Sequence, residues 1–227
     1  MKVMIFGATG MVGQGVLRAC LAAGDVDKVL LVGRSHLKLE DPKLDQAVLA
    51  DLFNIQAIPV QLSGYDACFF CLGVSSTGMT EAQYTHITYD LTLAVASCLA
   101  ELNPAMVFTY VSGVGTDSSE RGRTMWARVK GRTENQLKTL GFHGVYLFRP
   151  GIIQPLDGIQ SKTRAYHLFY SATRWMLPVL RRLFPGSIVT TDDIGRAMLN
   201  VARTGAGRAV LEPRDIAKVA KDLHASY

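Results

Sequence analysis

Seven residues near the N-terminus have the composition and spacing of a phosphate-binding loop. They follow a short apolar run at 3–6 and read Gly-Ala-Thr-Gly-Met-Val-Gly. Glycines let a phosphate approach the main chain, and a helix that follows presents free amides and the positive end of its dipole. The spacing is G-x-x-G-x-x-G, not the usual G-x-G-x-x-G, so a bare tight turn is the alternative. Between a strand and a helix, the loop predicts a dinucleotide site at Gly7, Thr9, Gly10, Met11, Val12 and Gly13.

The end of the next apolar run, 29–32, indicates which dinucleotide binds. An acidic residue about 20 positions beyond the loop would hydrogen-bond the free ribose 2′-hydroxyl of NAD. The run is followed instead by Gly33, Arg34 and Ser35. A guanidinium group can pair with the 2′-phosphate of NADP, so we expect NADP at Arg34 and Ser35, with NAD possible. The alternative is a solvated loop arginine.

Two further segments end where the same ligand would cross a sheet edge. Asp51 follows the run at 47–50 and could accept a hydrogen bond from an adenine amino group beside Leu52. An N-cap for a helix is an equal alternative for this aspartate. Cys71, Leu72 and Gly73 end the run at 67–72, and the glycine would allow close backbone contact with the ligand.

The elements that must position these residues alternate between strands and helices. Apolar runs predict strands at 3–6, 29–32, 47–50, 67–72, 106–112 and 145–148. Helical spacing predicts helices at 11–23, 81–102 and 124–140, ended by glycine or proline. The alternation indicates an α/β fold with a doubly wound parallel sheet, an NAD(P)-binding Rossmann fold.

The pattern changes after residue 155. An apolar helical stretch at 164–184 is interrupted at Pro178, and strands at 188–191 and 209–211 and helices at 192–203 and 215–223 follow. We expect a Rossmann domain at 1–155 and, at 156–227, a small substrate-side extension packed on it. The stretch 176–184 could touch a membrane surface, but its interrupted helix and thin polar face argue against membrane contact.

Composition excludes several classes of protein. The chain has 227 residues, of which 48% are hydrophobic and 19% charged, so it is not disordered. Its apolar runs are too short to span a membrane. The net charge of +5 is a weak sign of nucleic-acid binding and is explained equally by an anionic small ligand, so we expect no nucleic-acid partner.

The cysteines and histidines give no sign of metal or redox chemistry. Cys68 and Cys71 form a C-x-x-C, but positions three apart on a strand point to opposite faces, so we expect core thiols. The five histidines lack metal-ligand spacing, so we expect no metal. Free thiols favour a reducing compartment, and the expected location is cytoplasmic.

Together these segments resemble the short-chain dehydrogenase/reductase superfamily. They are most similar to its atypical branch of NmrA-like and Tat-interacting-protein-like NAD(P)H-binding proteins, often labelled nucleoside-diphosphate-sugar epimerases. The similarity is strong over 1–155 and weak over 191–197. The matching segments are GATGMVG (7–13), LLVGR (30–34), CFFCLG (68–73), TYVSGVG (109–115), VKGRTE (129–134) and YLFRPGIIQP (146–155), with the turn at Asp51.

The resemblance implies an active site at the end of the fifth strand and on the next helix. In this superfamily a serine there holds the substrate, and a Tyr-x-x-x-Lys pair supplies the acid/base phenol and a lysine that also binds the nicotinamide ribose. Ser112 and Lys130 match, whereas Trp126 stands at the tyrosine position. A strand-end serine and a solvated helix lysine are the plain alternatives. The segment implied to border the nicotinamide is Pro150, Gly151, Ile152 and Ile153.

Trp126 departs from the family pattern, because an indole donates a hydrogen bond but does not titrate like a phenol. Another group could supply the proton: Tyr110 shares a strand face with Ser112, and Tyr84 and Tyr89 lie near the fourth strand's loop. Alternatively, the cofactor is a signal or structural ligand, or the hydride acceptor needs little acid catalysis.

We expect an NADP-dependent oxidoreductase with a modified active site, acting on a small carbonyl or hydroxyl substrate. The alternative is a catalytically silent NADP(H)-binding regulator or redox sensor. A sugar-nucleotide epimerase is less favoured, because the C-terminal part is small. The expected partner is a small molecule or none, and the expected assembly is a monomer or a homodimer.

Overall fold

Seven parallel strands form the central sheet in a computed structural model that describes residues 1–156 and 188–222. The strands are β1 (Lys2–Phe6), β2 (Lys28–Gly33), β3 (Leu44–Val48), β4 (Ala67–Phe70), β5 (Val107–Val111), β6 (Gly144–Phe148), β7 (Ile152–Gln154), β8 (Ile188–Thr190) and β9 (Val210–Leu211). The order in the central sheet is β3-β2-β1-β4-β5-β6-β9, and β7 and β8 form a separate parallel pair. The predicted doubly wound Rossmann fold is confirmed.

Helices cover both faces of the sheet. They are α1 (Met11–Ala22), α2 (Pro59–Leu62), α3 (Glu81–Thr85), α4 (Leu91–Leu102), α5 (Met125–Leu137), α6 (Thr191–Thr204) and α7 (Pro213–Val219). A 3₁₀ segment spans Leu52–Ala57, and a π-helical turn at His86–Asp90 joins α3 to α4. Among the residues described, no helix is both long enough and apolar enough to cross a bilayer.

The strands carry apolar side chains on both faces, which gives the sheet one core on each side. Val3 and Ile5 of β1 pack with α1 and α6 in the first core, while Met4 and Phe6 pack with α4 in the second. Cys68 lies in the second core and Cys71 packs against the first, so the predicted opposite faces of the C-x-x-C are confirmed. Both are free thiols.

The helices α1 and α6 pack backbone to backbone through glycines. A Cβ on Gly15 would lie 2.4 Å from the carbonyl oxygen of Thr191, and one on Gly195 would lie 2.8 Å from that of Gly15. Thr190 begins α6 with a capping box, in which its hydroxyl accepts from the amide of Asp193 and its amide donates to the carboxylate of Asp193. The C-terminal part therefore packs directly on the first helix of the Rossmann unit.

Several predicted boundaries are wrong, for local physical reasons. The strand predicted at 47–50 spans Leu44–Val48, because β3 is an edge strand whose half-exposed residues do not form a continuous apolar run. The strand predicted at 67–72 leaves the sheet after Phe70, and the one predicted at 106–112 spans Val107–Val111. The helix predicted at 124–140 ends at Leu137, where tighter turns take over.

In the C-terminal part, the short strands and helices lie close to their predicted positions. The strand β9 extends the main sheet beside β6. The predicted helix at 164–184, with its membrane-facing alternative, and the last residue of the helix predicted at 215–223 lie outside the described residues.

Candidate functional site

The glycine loop between β1 and α1 is shaped so that side chains would not fit. Gly7 has φ +81°, and a Cβ there would lie 2.9 Å from the main chain of Cys71 and of Leu72. A Cβ on Gly13 would lie 2.1 Å from the carbonyl oxygen of Gly7. Gly10 caps α1 without a side chain, and the first helical turn carries no acid. The amides at the start of α1 are thus free to donate hydrogen bonds to an anion, and these residues fit a dinucleotide pyrophosphate.

A cavity of about 140 Å³ adjoins the loop at the carboxyl ends of β1, β2 and β3. It brings together six of the predicted cofactor residues: Gly7, Thr9, Arg34, Ser35, Leu52 and Leu72. Sequence reasoning missed a second group that lines it: Ala8, Leu31, Val32, Leu37, Gln46, Ala47 and Val48. No motif marks the β3 residues, and only the pairing of β3 with β2 places them there.

Arg34 lies exposed at the rim of this cavity. It forms no hydrogen bond or ion pair with another residue of the part of the chain that the structure describes. Nearby, Nε2 of Gln46 donates to the carbonyl oxygen of Leu37 at 2.9 Å, and Oε1 of Gln46 accepts from the main-chain amide of Leu37 at 2.8 Å. These two bonds hold the loop after β2 against β3. Because Arg34 has no ion-pair partner among the described residues, its guanidinium can meet an anion without first breaking an ion pair.

The remaining predicted cofactor residues have other contacts. Asp51 caps the Leu52–Ala57 segment by accepting from the amide of Phe53 at 3.0 Å, which was the alternative considered for it. Met11 and Val12 form the first turn of α1. Cys71 donates its amide to the carbonyl of Phe6 at 2.9 Å, which keeps 71–73 beside the glycine loop. The adenine contact of Asp51 stays a prediction.

Ser112 and Lys130 meet at the carboxyl end of β5. The Lys130 amine donates to the carbonyl of Ser112 at 2.9 Å and to that of Val111 at 3.3 Å. The helix α5 packs closely against the loop that follows β5 because position 131 is a glycine. A Cβ on Gly131 would lie 1.8 Å from the carbonyl oxygen of Asp117. Burial lowers the pKa of Lys130 from 10.5 to about 8, while the charge of Glu134 acts in the opposite direction.

Trp126, one helical turn before Lys130, is half-buried against the loop that follows β5. Its ring would lie 3.5 Å from a Cβ on Gly115, where φ is +86°. Two hydrogen bonds join the ends of β5 and β6. The amide of Ser112 donates to the carbonyl of Phe148, and the amide of Val114 donates to the carbonyl of Pro150. These bonds bring the predicted segment Pro150, Gly151, Ile152 and Ile153 to the same sheet edge as Ser112.

Sequence reasoning missed two residues that contact Ser112 directly or through one neighbour. The hydroxyl of Ser112 donates to Glu134 Oε1 at 2.5 Å. Glu134 is fully buried and forms an ion pair with Arg149, whose Nε donates to Oε1 at 3.0 Å. This pairing raises the pKa of Arg149. The available signal was that Glu134 follows Lys130 by four residues on one helix face.

The three tyrosines proposed as substitute proton donors have other surroundings. Tyr110 is buried and hydrogen-bonded to the side chain of Thr133, and burial raises the pKa of the Tyr110 phenol. Burial likewise raises the pKa of Tyr84. Tyr89 stacks under the guanidinium of Arg132, 4.3 Å from ring centroid to Cζ. The buried hydroxyls of Tyr84 and Tyr110 are poorly placed to reach a substrate.

No protein-family model matches the chain. Protein HTATIP2 from Rattus norvegicus is 27% identical over 226 residues, which cover 97% of this chain and 90% of that protein. Protein FMP52-2, mitochondrial, from Scheffersomyces stipitis is 29% identical over 220 residues, covering 92% and 90%. The resemblance to the atypical branch of the short-chain dehydrogenase/reductase superfamily, predicted from the motifs, is confirmed by these relatives.

Two solved structures show the same fold. The enzyme WbmF from Bordetella bronchiseptica, in complex with NAD⁺, has a TM-score of 0.67 at 16% identity and covers 98% of this chain and 78% of that one. A short-chain dehydrogenase family protein from Francisella tularensis has a TM-score of 0.66 at 13% identity, covering 93% and 95%. The fold is therefore the Rossmann-like α/β fold of NAD-binding short-chain dehydrogenase structures.

The predicted cytoplasmic location is contradicted by these comparisons. Several of the fungal relatives are named mitochondrial, among them FMP52-2 of Scheffersomyces stipitis. The prediction depended on four free cysteines. Free thiols argue against an oxidising compartment but do not distinguish one reducing compartment from another.

Proposed function

We propose that this chain, which resembles the atypical short-chain dehydrogenases, is an NADP(H)-binding oxidoreductase that acts on a small carbonyl or hydroxyl substrate. One observation carries the proposal: the phosphate loop and Arg34 share a single cavity at the carboxyl edge of the sheet. We propose 1–155 as the dinucleotide-binding domain and 156–227 as the substrate-side extension. The proposed partner is a small molecule, without nucleic acid or membrane.

Each proposed contact uses chemistry that the residue has available. The loop amides at the start of α1 would hold the pyrophosphate, and Arg34 would pair with the 2′-phosphate. Lys130 would orient the nicotinamide ribose, as the resemblance implies. When bound, the cofactor supplies hydride chemistry. Trp126 could donate a hydrogen bond but not a proton, whereas an amine with a pKa of about 8 can exchange one near neutral pH.

The second candidate is a silent NADP(H)-binding regulator. It is favoured by Trp126 at the phenol position and by the engagement of the Lys130 amine with two carbonyls. A screen of aldehydes, quinones and alcohols for changes in NADPH absorbance separates the two. A reaction that Lys130→Ala abolishes supports the enzyme, whereas tight binding with no reaction supports the regulator. For assembly we propose a monomer or homodimer, which sedimentation velocity distinguishes.

The decisive experiment is a titration with NADPH and with NADH, followed by ligand fluorescence. Replacing Arg34 by alanine should weaken NADPH binding by about 10- to 100-fold, the effect of a charge-assisted hydrogen bond, and leave NADH unchanged. Lys38→Ala is the matched control, because it removes an exposed cation from the same loop. If neither nucleotide binds below millimolar concentration, the proposed function is wrong. Equal losses for both nucleotides would remove the 2′-phosphate role.

A further inference from the structure

Within the described ranges, 1–156 and 188–222, the Ser112 hydroxyl contacts only groups that accept its hydrogen. Its oxygen lies 2.5 Å from Glu134 Oε1 and 3.4 Å from the carbonyl oxygen of Phe148. A serine hydroxyl has one hydrogen to donate and two lone pairs that accept. Because either partner takes that hydrogen, Ser112 has only lone pairs left for a substrate.

The position of Glu134 is fixed by other contacts, so breaking its hydrogen bond with Ser112 is costly. It is fully buried, and its two oxygens accept from Nε and Nη2 of Arg149. Arg149 is itself fixed by Ser118, at 2.6 Å, and by Glu212, at 3.4 Å. A hydrogen bond to a charged group is stronger than one between neutral groups, so turning the Ser112 hydrogen toward a ligand carries a penalty.

Two other side chains of the described site, those of Lys130 and Trp126, are hydrogen-bond donors. In its protonated form the Lys130 amine has three hydrogens, of which two point to main-chain carbonyls, and the Trp126 indole can only donate. A substrate hydroxyl would accept from a donor and give its own hydrogen to Ser112. A carbonyl oxygen only accepts, so it would face the lone pairs of Ser112 without a hydrogen between them.

We propose that Glu134 is a positioning residue that makes Ser112 a hydrogen-bond acceptor, and that the site therefore binds an alcohol in preference to the matching ketone or aldehyde. The proposal rests on the proposed function for the location of the substrate. It assigns the reacting group of the substrate as a hydroxyl, which the family resemblance leaves open.

The test compares binding of cyclohexanol and cyclohexanone to the wild type and to Glu134→Gln. The readout is the NMR signal of the Trp126 indole N–H, which is assigned by its loss in Trp126→Phe. Binding is measured in the free protein and in two complexes that cannot react, the alcohol with NADPH and the ketone with NADP⁺. The wild type should bind the alcohol about fivefold more tightly, the effect of one ordinary hydrogen bond. In Glu134→Gln the amide can donate to Ser112, so the preference should vanish or reverse.

Glu212→Gln is the matched control, because it neutralises the other carboxylate that contacts Arg149 and should leave the ratio unchanged. If Glu134→Gln does not fold, Ser112→Ala serves instead and should bring the ratio to about one. An unchanged ratio in the variant, a wild-type preference for the ketone, or no binding of either probe overturns the proposal. Alcohol preference without NADPH binding would overturn the proposed function only.

Discussion

Position 130 carries a lysine whose amine is held between two carbonyls near a buried glutamate. Burial removes water from the charged amine and lowers its pKa to about 8, although the charge of Glu134 acts in the opposite direction. The hydrogen bonds to Val111 and Ser112 keep the amine beside the site whether or not it is charged. Lys130 can therefore change its charge near neutral pH.

This pKa predicts a specific pH dependence of stability. The unfolded lysine keeps its proton up to about pH 10.5, whereas the folded one releases it near pH 8. Between these values the unfolded state binds more protons, so stability rises with pH. Relative to Lys130→Met, the wild type should gain up to about 3 kcal/mol in free energy of unfolding between pH 7 and pH 10, less any solvent screening.

Urea denaturation at several pH values measures this difference. Comparison with the variant cancels the titration of groups that both proteins share. Lys138→Met is the control, because that lysine is exposed at the end of the same helix and its removal should shift the curve without changing its slope. Parallel curves for the wild type and Lys130→Met would show that the amine titrates normally.

Single residues of the candidate site could be predicted from sequence only where a motif marks them. Ser112, Trp126 and Lys130 lie at fixed positions within recognisable segments. Glu134 and Arg149 also lie in such segments, but their roles depend on a contact between α5 and the end of β6. The pairing of two separate elements sets that contact, and no local pattern encodes it.

Among the elements, the glycine loop with α1 has the strictest steric requirement. In Gly13→Ala the new Cβ would lie 2.1 Å from the Gly7 carbonyl oxygen and 2.7 Å from its carbon, so the backbone must shift. Overpacking of this kind costs about 1–3 kcal/mol. We expect that loss in urea denaturation, together with weaker NADPH binding, because the shifted amides no longer converge on the pyrophosphate.

Gly24→Ala is the control at the other end of the same element. A Cβ there meets no atom of the described residues within 4 Å, so stability and NADPH binding should change little. If Gly13→Ala binds NADPH as the wild type does, the loop does not hold the pyrophosphate. If it also retains full stability, the backbone adjusts more easily than its contacts indicate.

Elements with strong periodicity were predicted well, and those without it were not. Buried strands such as β1 and β2 are continuous apolar runs, so their positions were predicted to within a residue at each end. The edge strand β3 begins with residues that its pairing with β2, and not its hydropathy, makes a strand. The π-helical turn at His86–Asp90 lies within a predicted helix, and side-chain periodicity does not reveal it.

At the scale of the whole molecule, strand order decides which residues can share a ligand. The chain reverses direction across the sheet between β1 and β4, which creates a crevice at their carboxyl ends. The glycine loop and Arg34 lie on one side of it, and Ser112 with Lys130 on the other. Under the proposed function, segments more than 70 residues apart in the chain would thus face one elongated ligand.

The contact between α1 and α6 joins the C-terminal part to the helix that follows the glycine loop. In Gly195→Ala the new Cβ would lie 2.8 Å from the Gly15 carbonyl oxygen and 2.9 Å from the Ala19 side chain. We expect a loss of about 1–3 kcal/mol in stability and a measurable loss of NADPH affinity, although Gly195 is far from the loop in sequence. Denaturation and fluorescence titration measure the two effects.

Gly207→Ala is the matched control, since it adds the same methyl group at a C-terminal position where no atom of the part of the chain that the structure describes lies within 4 Å. A variant at Gly195 that is destabilised but binds NADPH normally would show that α6 supports the fold without influencing the loop. Equal behaviour of the two variants would show that the helices separate without cost.

The glycine contact also has a thermodynamic consequence. The helix that would offer its amides to a phosphate is the same helix against which α6 packs, with backbone touching backbone. If a bound phosphate tightens that contact by some factor, linkage requires that tighter packing of α6 strengthen phosphate binding by the same factor. The nucleotide and the C-terminal helix would then act as reciprocal effectors, each reporting the presence of the other through a single coupling free energy.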